Sequence, residues 1–237
     1  KSKIKNTYLD KIIPALDKDS RIRTGFNLTS TTSGRLSSSG KINMQQLPRD
    51  NAAVKGCIKA RPGYKILQQD LATAEVYVAA ILSGDKNLQN VFKSGGDLHS
   101  TIAKMVFQLK EPASEVKEKN PTARQAAKAI TFGIMYGSGP AKVSETVSKE
   151  SGKHFSVQQA KDTISKYFAT FPQLKIWLGM AKEDIESLGH TYSIFGRKRR
   201  LPNVFSSDQG VASHEVRSGI NFLIQSVASD VNLYAGI

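Results

Sequence analysis

Apolar positions along the chain recur in two rhythms, and each change of rhythm marks an element. The run Asp70-Leu-Ala-Thr-Ala-Glu75-Val-Tyr-Val-Ala-Ala-Ile-Leu82 reads as a helix that ends at Ser83-Gly84, behind a short extended run over 64–69. Asp70 is therefore expected at a strand-to-helix turn, a place for an ordinary N-cap aspartate or for a carboxylate that holds a metal. Over 121–137 Asn120 is expected to cap the first turn and Pro121 to take the first helical position. Gly137 should end that helix in the left-handed conformation. Ala126, Ala127, Ala129, Ile130 and Ile134 supply its packing side. Helical periodicity over 156–188 runs through Tyr167, Phe168, Leu174, Trp177 and Leu178, which read as core. Residues 189–202 alternate as two strands around a Phe195-Gly196 turn, and 214–231 is helical. Residues 1–24 lack a clear period and read as a short helix or strand entering the fold.

Polar residues form rows of their own. Arg124, Lys128, Phe132 and Tyr136 recur every four residues. Each such step rotates only about 40° on a helix with about 3.6 residues per turn, so all four share one broad face. A solvated basic face running into a core-facing aromatic end is the plain reading. Against it, Arg124 and Lys128 repel each other at this spacing, which a sequence tolerates more readily when an anion bridges them. A polyphosphate at the cations with a flat base near the rings would use the whole row. A second row, Arg217, Asn221 and Gln225, lies on the 214–231 helix, flanked by Phe222, Leu223, Ile224 and Val227. Between 27 and 48 the chain is dense in hydroxyls, amides and glycine, the composition of a flexible linker. Yet Arg35, Asn43 and Gln45 carry donors that suit the acceptors every base pair shows in the minor groove, a readout of pairing without sequence preference.

Composition narrows the classes. With 237 residues, 39% of them hydrophobic, the chain can bury a real core as one large domain or two small ones. No apolar run approaches the roughly 18 residues of a membrane span, and residues 1–6 are too basic for a signal peptide. A first residue of Lys rather than Met reads as a fragment. The single cysteine, Cys57, excludes an internal disulfide and a cysteine-cluster zinc site, and is expected to fill core space. The net charge of +14 is local: residues 1–65 hold 14 Lys and Arg against 4 Asp and Glu, a net +10. A second cluster, Arg197-Lys-Arg-Arg200, stands apart. Such patches fit binding to a phosphate backbone.

The pattern Arg-x3-Lys-x3-Phe-Gly-x2-Tyr-Gly at 124–137 resembles the nucleotide-binding fingers helix of family A DNA polymerases, the bacterial repair-polymerase and phage-replicase type. Five further stretches match in family order. Residues 33–48 resemble the Thr-Gly-Arg-Leu-Ser-Ser and Asn-Leu-Gln-Asn-x-Pro signatures, with Ser33 and Gln46 as departures. Asp70 to Glu75 resembles Asp-Tyr-Ser-Gln-x-Glu, with Leu71, Thr73 and Tyr77 replacing the usual Tyr, Gln and Arg. Asp97-Leu-His99 resembles Asp-Ile-His, and residues 189–202 resemble the Thr-Leu-Phe-Gly-Arg-Arg-Arg hairpin. The row at 217, 221 and 225 resembles Arg-x3-Asn-x3-Gln, with Phe222 to Ile224 and Ser226 differing from the usual Ala-Pro-Met and Gly.

The resemblance implies an α+β fold of the right-hand polymerase kind, an antiparallel palm sheet with helices plus helical fingers. Palm would occupy 1–84, fingers 85–205, and a return to palm 206–237. Arg124, Lys128 and His99 would hold phosphates of an incoming deoxynucleoside triphosphate. Phe132 would lie near its sugar, Tyr136 near the templating position, and Glu75 would restrict room at the 2′ carbon. Asp70, with the Leu71 carbonyl, would bind two magnesium ions, and Asp70 and Lys128 would be the catalytic residues. Arg35, Asn43, Gln45, Arg217, Asn221 and Gln225 would meet the primer-template. The family's second catalytic motif, His-Asp-Glu, is expected some thirty residues after Gln225, beyond Ile237. The thumb and remaining palm would come from the same parent chain or another polypeptide, and this stretch alone is expected to be inactive. The expected setting is the cytoplasm of a bacterial or phage-infected cell, without a membrane. A single-subunit RNA polymerase is the nearest alternative, disfavoured by Glu75 and the Ser33-Gly34-Arg35 segment. A non-catalytic nucleic-acid-binding module would explain the charge without Asp70.

Overall fold

A computed structural model describes residues 5–47, 52–68, 70–71 and 73–235, and the chain divides into two compact units, Lys1–Leu71 and Ala72–Ile237. In the first, a π-helical turn Lys5–Leu9 runs into α1 (Asp10–Ala15), and α2 (Ala52–Gly56) follows later. Between them, β1 (Gly25–Asn27) pairs antiparallel with β2 (Ser37–Ser39) in the register Gly25↔Ser39, Phe26↔Ser38, Asn27↔Ser37. The serine-rich stretch is thus a hairpin and not a linker. Side-chain bonds hold it closed: Thr24 Oγ1 lies 2.8 Å from Ser38 Oγ and donates to the carbonyls of Ser39 and Ile42. Cys57 is exposed, which corrects its assignment to the core. The short helix before it buries only Val54.

The second unit is helical. It comprises α3 (Ala74–Ser83), α4 (Lys86–Lys93), α5 (Leu98–Phe107), α6 (Ala113–Lys119), α7 (Pro121–Met135), α8 (Pro140–Ser151), α9 (Val157–Thr170), α10 (Pro172–Leu188) and α11 (Gln209–Tyr234). One hairpin, β3 (His190–Tyr192) with β4 (Lys198–Arg200), precedes α11. The fold class is α+β. Its main core gathers Val76, Leu88, Ile102, Ile130, Tyr167, Phe171 and Leu174 between α3 and α10, each at most 1% exposed. Each apolar side chain so buried stabilises the unit by about 1.5–3 kcal/mol. Asp85 joins two segments of that core. Its carboxylate caps α4 through Leu88 N–H and accepts from the N–H groups of Gln173 and Leu174 at the start of α10. A buried carboxylate is tolerated because its lone pairs are so occupied.

Three element boundaries differ from the sequence reading. The helix expected from Asp70 begins at Ala74, because Thr73 sits at its N-cap with φ 53°, a left-handed conformation that interrupts the turn. Asp70 is therefore not an N-cap, and residues 64–68 pair with no strand among the described residues. The periodic stretch 156–188 is two helices broken at Phe171, since Pro172 has no N–H to continue a preceding turn. The last helix extends beyond 214–231 to Gln209–Tyr234, started by Asp208, whose carboxylate accepts from Gly210 and Val211 N–H.

Candidate nucleotide-binding and nucleic-acid-binding site

Helix α7 forms where its sequence places it. Pro121 occupies the first turn, and Gly137 ends the helix at φ +66°. Asn120 precedes it without capping it through its side chain, which corrects the expected cap. Ala126, Ala127, Ala129 and Ile130 are buried, so the packing side is turned into the unit.

The opposite row is held from four neighbouring positions. Arg124 donates from Nε and Nη2 to the two Asp97 carboxylate oxygens, each at 2.8 Å. Lys128 Nζ lies 3.7 Å from Glu150 Oε2 on α8. The Phe132 ring is tilted against His99 with centroids 5.5 Å apart. Tyr136 donates from its hydroxyl to Glu75 Oε2 at 2.6 Å. The two cations, repelling along the helix, are thus each met by a carboxylate from another element. They are met unequally. Arg124 is half-buried, its side chain 20% exposed, and bound in two-pronged fashion, whereas Lys128 and Glu150 are both 39% exposed in a single long contact.

Asp97 does two jobs, because the same carboxylate caps α5 by accepting from Ser100 N–H at 2.8 Å. The Arg124 guanidinium, then the Ser100 bonds, hold its pKa well below the usual carboxylate range, against the opposing effect of burial. His99 is 8% exposed, and its Nδ1 has no hydrogen-bond partner among the described residues. Burial lowers its pKa first, with Asp97 opposing and the charges of Arg124 and Lys128 adding to the fall. The charged imidazolium is therefore disfavoured. Lys128, Phe132, Tyr136, Lys142 and Glu150 line one open cleft between α7 and α8.

The second row reaches the same place. A Cβ on Gly137 would stand 2.4 Å from Arg217 Cγ, so the side chain of α11 lies directly on the end of α7. Arg217, Asn221 and Gln225 are half-buried along α11, with Phe222, Ile224 and Val227 buried beside them. Gly219 brings that helix close to α10, for a Cβ there would meet Leu201 Cδ1 at 2.6 Å and Ile185 Cδ1 at 2.8 Å.

The second unit therefore brings together Glu75, His99, Arg124, Lys128, Phe132, Tyr136 and Arg217. Arg35, Asn43, Gln45, Asp70 and Leu71 belong to the first. There, Gly34 turns at φ +79° before the exposed Arg35. Asn43 accepts from Gln45 N–H, and Gln45 Nε2 donates to the Leu36 carbonyl at 2.9 Å. Those amides organise the hairpin as well as facing outward in part. Asp70 and Leu71 are exposed. They present carboxylate and carbonyl oxygens, the donor type magnesium takes, although no group of three potential metal ligands occurs among the described residues.

Two participants escaped the sequence reading. Asp97 carried a legible signal, an acidic residue in N-cap position just before a helix. Glu150 carried none, since its approach to Lys128 depends on how α8 packs beside α7. Among the departures from the family pattern, Ser226 accepts from Arg197 Nε at 3.1 Å, and Tyr77 packs edge-on against Phe92 at 5.0 Å.

A family model for DNA polymerase family A matches residues 1–236. The chain is 50% identical to the DNA polymerase of Escherichia phage T5, covering 100% of this chain and 30% of that protein. It is 33% identical to the thermostable DNA polymerase I of Thermus filiformis, over 97% of this chain and 27% of the relative. Among solved structures, it resembles the POL domain of Pol1 from M. smegmatis in complex with DNA primer-template and dNTP. That likeness has a TM-score of 0.77 at 28% identity, covering 95% of this chain and 38% of that one. The chain thus spans about 30% of the length of the T5 relative. No described helix is long and apolar enough to cross a membrane.

Proposed function

The chain belongs to DNA polymerase family A, and from that premise we propose that the protein carrying it extends a DNA primer from deoxynucleoside triphosphates. The observation that carries the proposal is the α7 row, in which two cations and two rings share a face and each meets a side chain of another element. Support for the ligands comes from the solved relative, whose complex contains primer-template and dNTP. The reaction is attack of the primer 3′-hydroxyl on the α-phosphate, with release of pyrophosphate.

In this reading Lys128 is the cation that moves. Its single exposed contact with Glu150 is worth at most about 1 kcal/mol, so an arriving phosphate can replace the carboxylate at little cost. Arg124 stays clamped to Asp97 and adds its remaining donors to the phosphates from a fixed position. His99, buried beside Phe132, offers an N–H donor to the same anion. Glu75, restrained by Tyr136, holds its carboxylate stem where a ribose 2′-hydroxyl would need space. Phe132 faces the sugar. Arg35, Asn43 and Gln45 follow the paired bases, and Arg217, Asn221 and Gln225 meet the primer-template beside α7.

Asp70 and the Leu71 carbonyl would hold magnesium, which when bound neutralises charge on the reacting phosphate oxygens. The proposed setting is the cytoplasm of a bacterial or phage-infected cell. Primer extension by the intact polypeptide, compared with its Asp70→Asn variant, tests the function. Template-dependent extension that Asp70→Asn abolishes is expected, and extension that survives the change would exclude Asp70 as a metal ligand.

A further inference from the structure

The β3–β4 hairpin carries four consecutive cations, and strand alternation divides them. Successive side chains point to opposite faces. Arg197 and Arg199 face α11: Arg197 donates to Ser226 Oγ at 3.1 Å and to Asp230 Oδ1 at 2.7 Å, and Arg199 donates to Ser218 Oγ at 2.6 Å. Ser193, on the same side, is buried. Those two arginines fasten the hairpin to the helix that carries Arg217, Asn221 and Gln225.

Lys198 and Arg200 are left on the other face and are exposed. The register places them opposite Tyr192 and His190. Tyr192 is 52% exposed, packs edge-on against His190 with centroids 5.4 Å apart, and has Lys198 Nζ 5.2 Å from its ring centre. Ile194 and Phe195 continue the exposed apolar surface at the tip. From His190 to Leu201 there is no acidic residue. Two rings and two cations on a rigid two-stranded platform suit a strand whose bases are unstacked and whose backbone is anionic, because any base can stack on an aromatic face. A closed duplex offers no such free base faces.

Resting on the polymerase reading, we infer that the outward face of this hairpin, His190, Tyr192, Lys198 and Arg200, binds the unpaired template strand ahead of the site of synthesis. The test uses the intact polypeptide and fluorescence anisotropy with two labelled primer-templates, one blunt and one with a long unpaired 5′ template extension. The wild type should bind the extended substrate more tightly. In Tyr192→Ala and in the double variant Lys198→Gln with Arg200→Gln, that advantage should fall by about fivefold or more, while blunt-substrate affinity stays unchanged. Tyr192→Trp should retain it. For the double variant, the slope of log affinity against log salt on the extended substrate should become shallower by about 1.4, for two single-strand phosphate contacts. Equal wild-type affinity for the two substrates would overturn the inference while leaving the polymerase reading intact. Equal weakening on both substrates in the variants would overturn it too, because the face would then meet duplex. A wild type that binds neither substrate would overturn the polymerase reading and this inference with it.

Discussion

The Tyr136 hydroxyl donates to the Glu75 carboxylate at 2.6 Å, joining the last turn of α7 to the first turn of α3. Two residues with separate roles in the proposed site are therefore one unit. Removing the bond should cost about 0.5–1.5 kcal/mol. A double-mutant cycle on Tyr136→Phe and Glu75→Ala, read by denaturant unfolding, should show a coupling of that size, and strict additivity would show that the bond contributes nothing. In primer extension, Glu75→Ala should raise ribonucleotide incorporation relative to deoxynucleotide on the order of tenfold or more. An unchanged ratio would remove Glu75 from sugar selection.

Gly137 should tolerate no side chain. Its φ of +66° disfavours any L residue, and an added Cβ would overlap Arg217 at 2.4 Å from Cγ. Gly137→Ala is expected to cost about 1–3 kcal/mol from the backbone conformation alone, with further loss as Arg217 is pushed aside. Pairing it with Arg217→Ala should recover part of the loss in thermal unfolding. No recovery would mean that the backbone, and not the contact, sets the cost.

Much of this site was legible before the fold was known, for reasons that can be located. Helix α7 could be read because Pro121 and Gly137 act locally and the row depends only on helical period. The β3–β4 hairpin could be read from alternation, although which arginines face inward depended on Ser218, Ser226 and Asp230 in a helix met later in the chain. Asp97 and Glu150 were not assigned roles because the partner of a surface cation is decided by tertiary packing. Thr73 was missed because nothing in a threonine announces a left-handed turn, and that turn moved the start of α3 past Asp70. Cys57 was misplaced by the habit of cysteine to be buried.

His99 should make the second unit sensitive to mild acid. Its folded-state pKa lies below the ordinary 6.5, chiefly through burial. Below that value the unfolded chain takes up a proton that the folded imidazole refuses, so stability should fall as pH drops through 6.5 toward the folded pKa. His99→Gln should flatten this part of the stability-pH curve, measured by chemical denaturation between neutral and mildly acidic pH. Superimposable slopes for wild type and variant would contradict the assignment. Asp97 acts lower: its depressed pKa contributes stability above the unfolded value of 3.8, lost as pH falls further.

The claim that the α7 row holds the incoming nucleotide is tested most directly by single-turnover primer extension in the intact polypeptide, comparing Lys128→Ala with Lys161→Ala. Lys161 is an exposed lysine on α9 outside the row. Loss of a cation where charge builds on the transferring phosphate should slow Lys128→Ala on the order of 10²-fold or more, while Lys161→Ala extends at the wild-type rate. Equal rates for the two variants would contradict the account.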